Sequence, residues 1–169
     1  MTSPAPETDD RHPAAVVTAM IDHVLDLAVT WPNWDGQPLE VIVEDEPEPR
    51  IYTPHKAIRR VADHLLDHLA EIEARLTGRR PEPDAWHGSM VTTDGDYARF
   101  TPVDLDEARS RLTRLGLIWD VRLRSLPDDQ LDRRDGDAWT PRQLAFHVAD
   151  SAFYADSVGR IPGREHSPS

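Results

Sequence analysis

The sequence predicts an all-α fold, a four-helix bundle, and three observations lead there. Apolar residues recur at helical spacing in four separate stretches of the 169-residue chain. Each stretch opens on a proline or a capping residue and closes on proline, glycine or a polar run. β propensity is confined to one short segment, Leu39-Glu-Val-Ile-Val43. A chain of this length suits one domain whose core needs no covalent staples. We divide it into a disordered N-terminal tail at 1–11, the bundle at 12–158 and a disordered C-terminal tail at 159–169.

The first helix begins near Pro13, because a proline N–H is not missed in a first turn. Val16, Val17, Met20, Val24, Leu27, Ala28 and Trp31 make its apolar stripe, with His23 at the edge. There His23 is either a boundary residue or a group beside a site. Pro32 stops the helix and Asp35-Gly36 turns the chain. Trp31 and Trp34 either seal the end of the bundle or line a pocket mouth. Residues 39–43 are one extended strand along a helix or nothing regular. Glu44-Asp-Glu-Pro-Glu-Pro is a solvated acidic loop.

Thr53-Pro54 opens the second helix with a cap and a first-turn proline. Its stripe is Ile58, Val61, Ala62, Leu65, Leu69, Ile72 and Leu76, and Gly78 ends it. A connection follows at 79–103, roughly 25 residues and longer than a bundle loop needs. We expect it to cross one end of the bundle and help cover a site. His87 within it is either a surface histidine or an added ligand. Asp104-Leu-Asp-Glu107 reads as the cap of the third helix, with Glu107 as reciprocal acid. Leu105, Ala108, Leu112, Leu115, Trp119 and Leu123 form its stripe. Gly116 permits close helix approach at about 1 kcal/mol of propensity. Residues 126–138 are a loop with room for one helical turn. Thr140, Pro141 and Gln143 open the fourth helix with a reciprocal cap, and it runs on to the C-terminal tail. Leu144, Val148, Ser151 and Ala155 face inward.

The formal net charge of −12 repels phosphate backbones, which argues against a nucleic-acid partner. There is no cysteine, so disulfides, thiolate catalysis and Cys-rich zinc sites are excluded. The acidic N-terminus lacks the features of a signal peptide, and no apolar run reads as a membrane span. We expect a cytoplasmic protein acting on a small molecule, with no membrane or nucleic-acid partner, and a homodimer is compatible with a bundle.

The chemistry centres on His64-Leu-Leu-Asp-His68 and on His147. Residues four apart share a helix face, so two imidazoles there can ligate one ion. His68 lies about 60° and His64 about 100° from the stripe centre, at a flank where a side chain reaches a crevice between helices. His147 sits about 60° from the inward centre of the fourth helix, with Tyr154 about 80° away on the same side. Three neutral imidazoles plus an open position suit zinc first, and nickel, iron or cobalt as alternatives. That open position holds water for hydrolysis, or a substrate anion. The general base of a His-Glu-x-x-His site is missing. Asp150 and Glu71, each three residues past a histidine, are placed to orient an imidazole, though each is also an ordinary polar surface residue. Arg142 either pairs with an anionic substrate or bridges to a neighbouring acid. Tyr154 is a proton donor or a core phenol. Spacing alone leaves two classes open: a metal-dependent enzyme, or a non-catalytic bundle that serves as a binding or interaction module.

Trp139-Thr-Pro-Arg-Gln-Leu-Ala-Phe-His147-Val-Ala-Asp-Ser resembles the helix opening of the DinB/YfiT-like superfamily of metalloenzymes, which includes the metal-binding domain of mycothiol-dependent maleylpyruvate isomerase. His64-Leu-Leu-Asp-His68 is similar to that family's paired-histidine motif. The resemblance implies a four-helix bundle in which His64, His68 and His147 bind a divalent metal. It also implies a thiol-dependent S-transferase or isomerase that uses a low-molecular-weight thiol such as mycothiol. The family presents the single histidine first and the pair last. Here that order is reversed, as in a circular permutation with residues 79–103 joining the old ends.

Overall fold

The computed structural model describes residues 5–44, 46–83, 90–159 and 161. Four proline-led helices frame the chain: α1 (Pro13–Ala28), α2 (Pro54–Leu76), α3 (Pro102–Ser125) and α5 (Pro141–Ala149). A single turn, α4 (Asp128–Leu131), precedes α5, and α6 (Ala152–Asp156) follows it. A small ribbon pairs β1 (Leu39–Val41) with β2 (Arg50–Tyr52), antiparallel, with Glu40 opposite Ile51. The fold is all-α, with α1, α2, α3, α5 and α6 packed into a compact bundle.

Local chemistry sets these boundaries. Thr53, Thr101 and Thr140 each accept a backbone N–H with the side-chain oxygen, and each precedes a proline that fits the first turn. The α3 boundary corrects the expectation of an Asp104 cap. Thr101 is the cap, and Asp104 is the reciprocal acid, accepting from the Thr101 N–H at 2.7 Å. At the other end of α2, Gly78 adopts φ 69°, a left-handed conformation that ends the helix without a Cβ clash.

Five packed helices replace the four expected, because the last one breaks. Between Asp150 and Tyr154 the backbone bonds run three residues back instead of four: Ser151 to Val148, Phe153 to Asp150, Tyr154 to Ser151. The Ser151 hydroxyl adds a bond to the Val148 carbonyl at 2.6 Å. This tighter winding rotates α6 relative to α5.

The core is continuous through the bundle, with Val24, Trp31, Leu65, Leu112, Trp119 and Leu144 fully or almost fully buried. Trp31 seals the end of α1 against Phe100, edge to face at 5.6 Å. Residues 13–33 are long and apolar enough to cross a membrane, contrary to the reading from hydropathy alone, yet the helix packs against α3, α5 and α6. Gly116 lies under Ile21, and a Cβ there would stand 2.8 Å from Ile21 Cδ1, as close approach of α1 and α3 requires. Residues 39–41 take the strand alternative and find β2 as their partner. Past α6, Val158 and Ile161 are buried in the same core. Gly159 passes so close to β1 that a Cβ would meet the Leu39 N and Pro38 Cα at 2.9 Å. His87 and the outermost tail residues, 1–4 and 162–169, lie outside the described residues.

Candidate metal centre

The stripe of α2 that faces the core leaves His64 and His68 on its flank, toward α5 and α6. α5 presents His147 to the same place. The ring centroids of His64 and His68 are 4.8 Å apart, those of His64 and His147 4.8 Å, and those of His68 and His147 5.1 Å. One nitrogen from each ring lies within 4.8 Å of the other two. A tetrahedral ion with bonds of about 2.0–2.1 Å spaces its nitrogens about 3.4 Å apart. Small rotations of the imidazoles close that difference, and the donor set therefore fits a divalent cation.

The electrostatics favour a neutral His64. Burial, then the neighbouring His68 and His147, then Arg60, hold the His64 pKa down at about 3. A neutral ring keeps the lone pair that a metal requires.

Glu71 orients one ligand. Its Oε2 lies 3.0 Å from His68 Nδ1. A carboxylate only accepts, so Nδ1 donates and the Nε2 lone pair is left for the cluster. Burial raises the Glu71 pKa, but the His68 hydrogen bond and charge together with Arg75 outweigh it and hold the carboxyl below its usual range. Arg75 Nη1 donates to Glu71 Oε1 at 3.2 Å and to the Trp139 carbonyl at 2.7 Å. The Trp139 indole in turn packs on the His147 ring at 4.7 Å. Glu71, Arg75 and Trp139 thus brace two ligands on different helices.

The other expected site residues fall at varied distances from this cluster. Tyr154 on α6 is brought to it, 6.3 Å from the His64 ring. Asp150 is exposed at the C-cap of α5, where its backbone N–H bonds the His147 carbonyl. His23 pairs with Asp156 at 2.9 Å, half exposed, tying α1 to α6. Arg142 takes the salt-bridge alternative, donating to both carboxylate oxygens of Asp132 at 2.7 and 3.2 Å. Sequence reasoning missed Arg75, whose spacing of four from Glu71 was a usable signal. It also missed Lys56 and Arg60, which continue the spacing of His64 and His68 toward the N-terminus of α2.

No family model, curated protein or solved structure matches the chain. The assignment therefore stands on the chain's own geometry: an all-helical bundle with three histidines placed to share one divalent ion.

Proposed function

We propose that this protein is a metal-dependent enzyme built on a centre of His64, His68 and His147, a thiol-dependent S-transferase or isomerase acting on a small molecule. The convergence of the three imidazoles from α2 and α5 carries this reading. A divalent ion, zinc above nickel or iron, would supply Lewis acidity for a thiol or a polarised substrate oxygen. The chain's own groups do the rest. His68 is fixed in one tautomer by Glu71, and His147 is backed by Trp139. Tyr154, whose ring stands 6.3 Å from that of His64, is the phenol that would hydrogen-bond a substrate oxygen or move a proton to it.

The thiol chemistry is suggested by the motifs' resemblance to the DinB/YfiT-like metalloenzymes. The pair-first order is that of a circularly permuted relative, and four-helix frameworks with nearby termini tolerate such rewiring. A non-catalytic module has less support, because a purely structural role does not call for three mutually facing imidazoles.

The test is metal analysis of untagged protein. The wild type is expected to carry about one divalent ion per chain. His64→Ala, His68→Ala and His147→Ala are each expected to lose it while keeping the helical circular dichroism spectrum. Full retention of metal in any of the three removes that residue from the centre.

A further inference from the structure

The outward side of α3 carries large apolar side chains where a helix at the edge of a bundle is normally polar. Leu117, Ile118 and Val121 are each at least half exposed. Leu112, Trp119 and Leu123, on the other side of the helix, are buried in the core. The exposed surface continues past Ile118 into a groove of about 420 Å³ between α3 and α2, lined also by Ala62, Leu66 and Leu115. Leu66 is at least half exposed as well. It stands about 160° around α2 from both His64 and His68, so this surface faces away from the imidazoles. A contiguous apolar surface of this kind marks a contact with another molecule.

The charges on α3 indicate which molecule. Glu107, Ser110, Arg114, Leu117, Val121 and Arg124 follow at alternating steps of three and four residues, the spacing of a seam between two helices. An acid lies at the N-terminal end of this seam and a base at the C-terminal end. The seam is therefore complementary to itself when a second copy runs antiparallel about a two-fold axis. With the axis between Arg114 and Leu117, Glu107 meets Arg124 of the second copy, Ser110 meets Val121, and Arg114 meets Leu117. The two Leu117 residues then lie about 4.5 Å apart along the helix direction. Arg114 turns its head along its own helix to the Ser110 carbonyl, at 2.9 Å, so its aliphatic stem is what Leu117 of the second copy covers. Arg124 spends its Nε on Asp120 at 2.8 Å, and a guanidinium has further N–H donors for a second carboxylate. A parallel pairing would instead set Glu107 on Glu107 and Arg124 on Arg124.

The size also suits a dimer. α3 has 24 residues and is about 36 Å long. With the groove beside it the strip is about 20 Å wide. Its area, about 700 Å², approaches the roughly 800 Å² per partner of a stable interface.

We propose that the protein is a two-fold homodimer in which α3 packs antiparallel on α3 of a second copy, with Leu117 beside the axis and Glu107 paired to Arg124 across it. The interface uses none of the metal-centre residues, so its test is independent of that reading.

Sedimentation velocity of the full chain is the measurement. The wild type is expected to run as a dimer at about 50 μM. Leu117→Glu sets two carboxylates against each other beside the axis, and is expected to give a monomer with the helical circular dichroism spectrum unchanged. Glu107→Arg and Arg124→Glu each place like charges across the seam, and each is expected to weaken the dimer about tenfold at low salt. Combined in one chain they restore opposite charges, and the dissociation constant is expected to return to within about threefold of the wild type. These two exposed positions give a separate reading should Leu117→Glu fail to fold. A monomeric wild type overturns the proposal and leaves the face to a different partner. A dimer that survives Leu117→Glu also overturns it, by placing the interface elsewhere. Single charge reversals without effect, or not rescued by their combination, overturn the antiparallel pairing.

Discussion

His68 has two nitrogens, and which of them faces the cluster is decided by a single carboxylate. Glu71, three residues on, accepts from Nδ1 and is itself pinned by Arg75. Asp150 has the same spacing from His147 but stands at the C-cap of α5, exposed, where the helix is already giving way. Position within the element thus distinguishes two carboxylates with identical sequence offsets. Orienting carboxylates raise ligand basicity and fix the ring, and their loss typically costs about 10–100-fold in metal affinity. Glu71→Gln keeps the shape and removes the charge, and its affinity measured by chelator competition is expected to fall within that range. An unchanged affinity would reduce Glu71 to a surface partner of Arg75.

At the level of elements, one device recurs. α2, α3 and α5 all begin at Thr-Pro, the threonine closing the first turn and the proline entering it. At α3 and α5 the third helical residue, Asp104 or Gln143, reaches back to complete the pair. The device was readable at Thr53 and Thr140. At Thr101 it was obscured because Asp104-Leu-Asp-Glu107 has the spacing of a cap as well. The structure resolves the ambiguity: Asp104 satisfies a donor at Thr101, which leaves it no role as the cap. Thr101→Ala is expected to destabilise the fold by about 1 kcal/mol, measured by urea unfolding. Glu107→Ala, which removes the acid of the competing assignment, is expected to be close to neutral. The reverse order would restore Asp104 as the cap.

On the scale of the whole molecule, the cluster couples folding to pH. His64 titrates near 3 in the fold and near 6.5 when unfolded. Between those values the unfolded chain binds a proton that the folded chain refuses. The contribution is therefore fully present above about pH 6.5 and is lost as pH falls toward 3. Metal-free wild type is expected to lose melting temperature more steeply between pH 7 and pH 4 than His64→Gln, which has no such proton to gain. The comparison within one acidic background cancels the general effect of neutralising carboxylates. Parallel profiles would mean that His64 is not held neutral by its surroundings. Acid should release metal over the same range, since protons compete for the same lone pairs.

The sequence by itself did not determine the α3 cap or the break between α5 and α6, but it did determine the four helical stretches, the Thr-Pro openings of α2 and α5, the flank positions of His64, His68 and His147, and the acidic balance of the chain. Those follow from bonds and periodicities a few residues long, which do not depend on what packs nearby. Only the tertiary structure decided that α5 brings His147 onto the pair, that Tyr154 arrives through a break in the helix, and that Arg142 turns to Asp132. It also decided that Lys56 and Arg60 are buried against two tyrosines drawn from β2 and α6. These facts depend on contacts between residues far apart in the chain, and local pattern carries no record of which helix faces which.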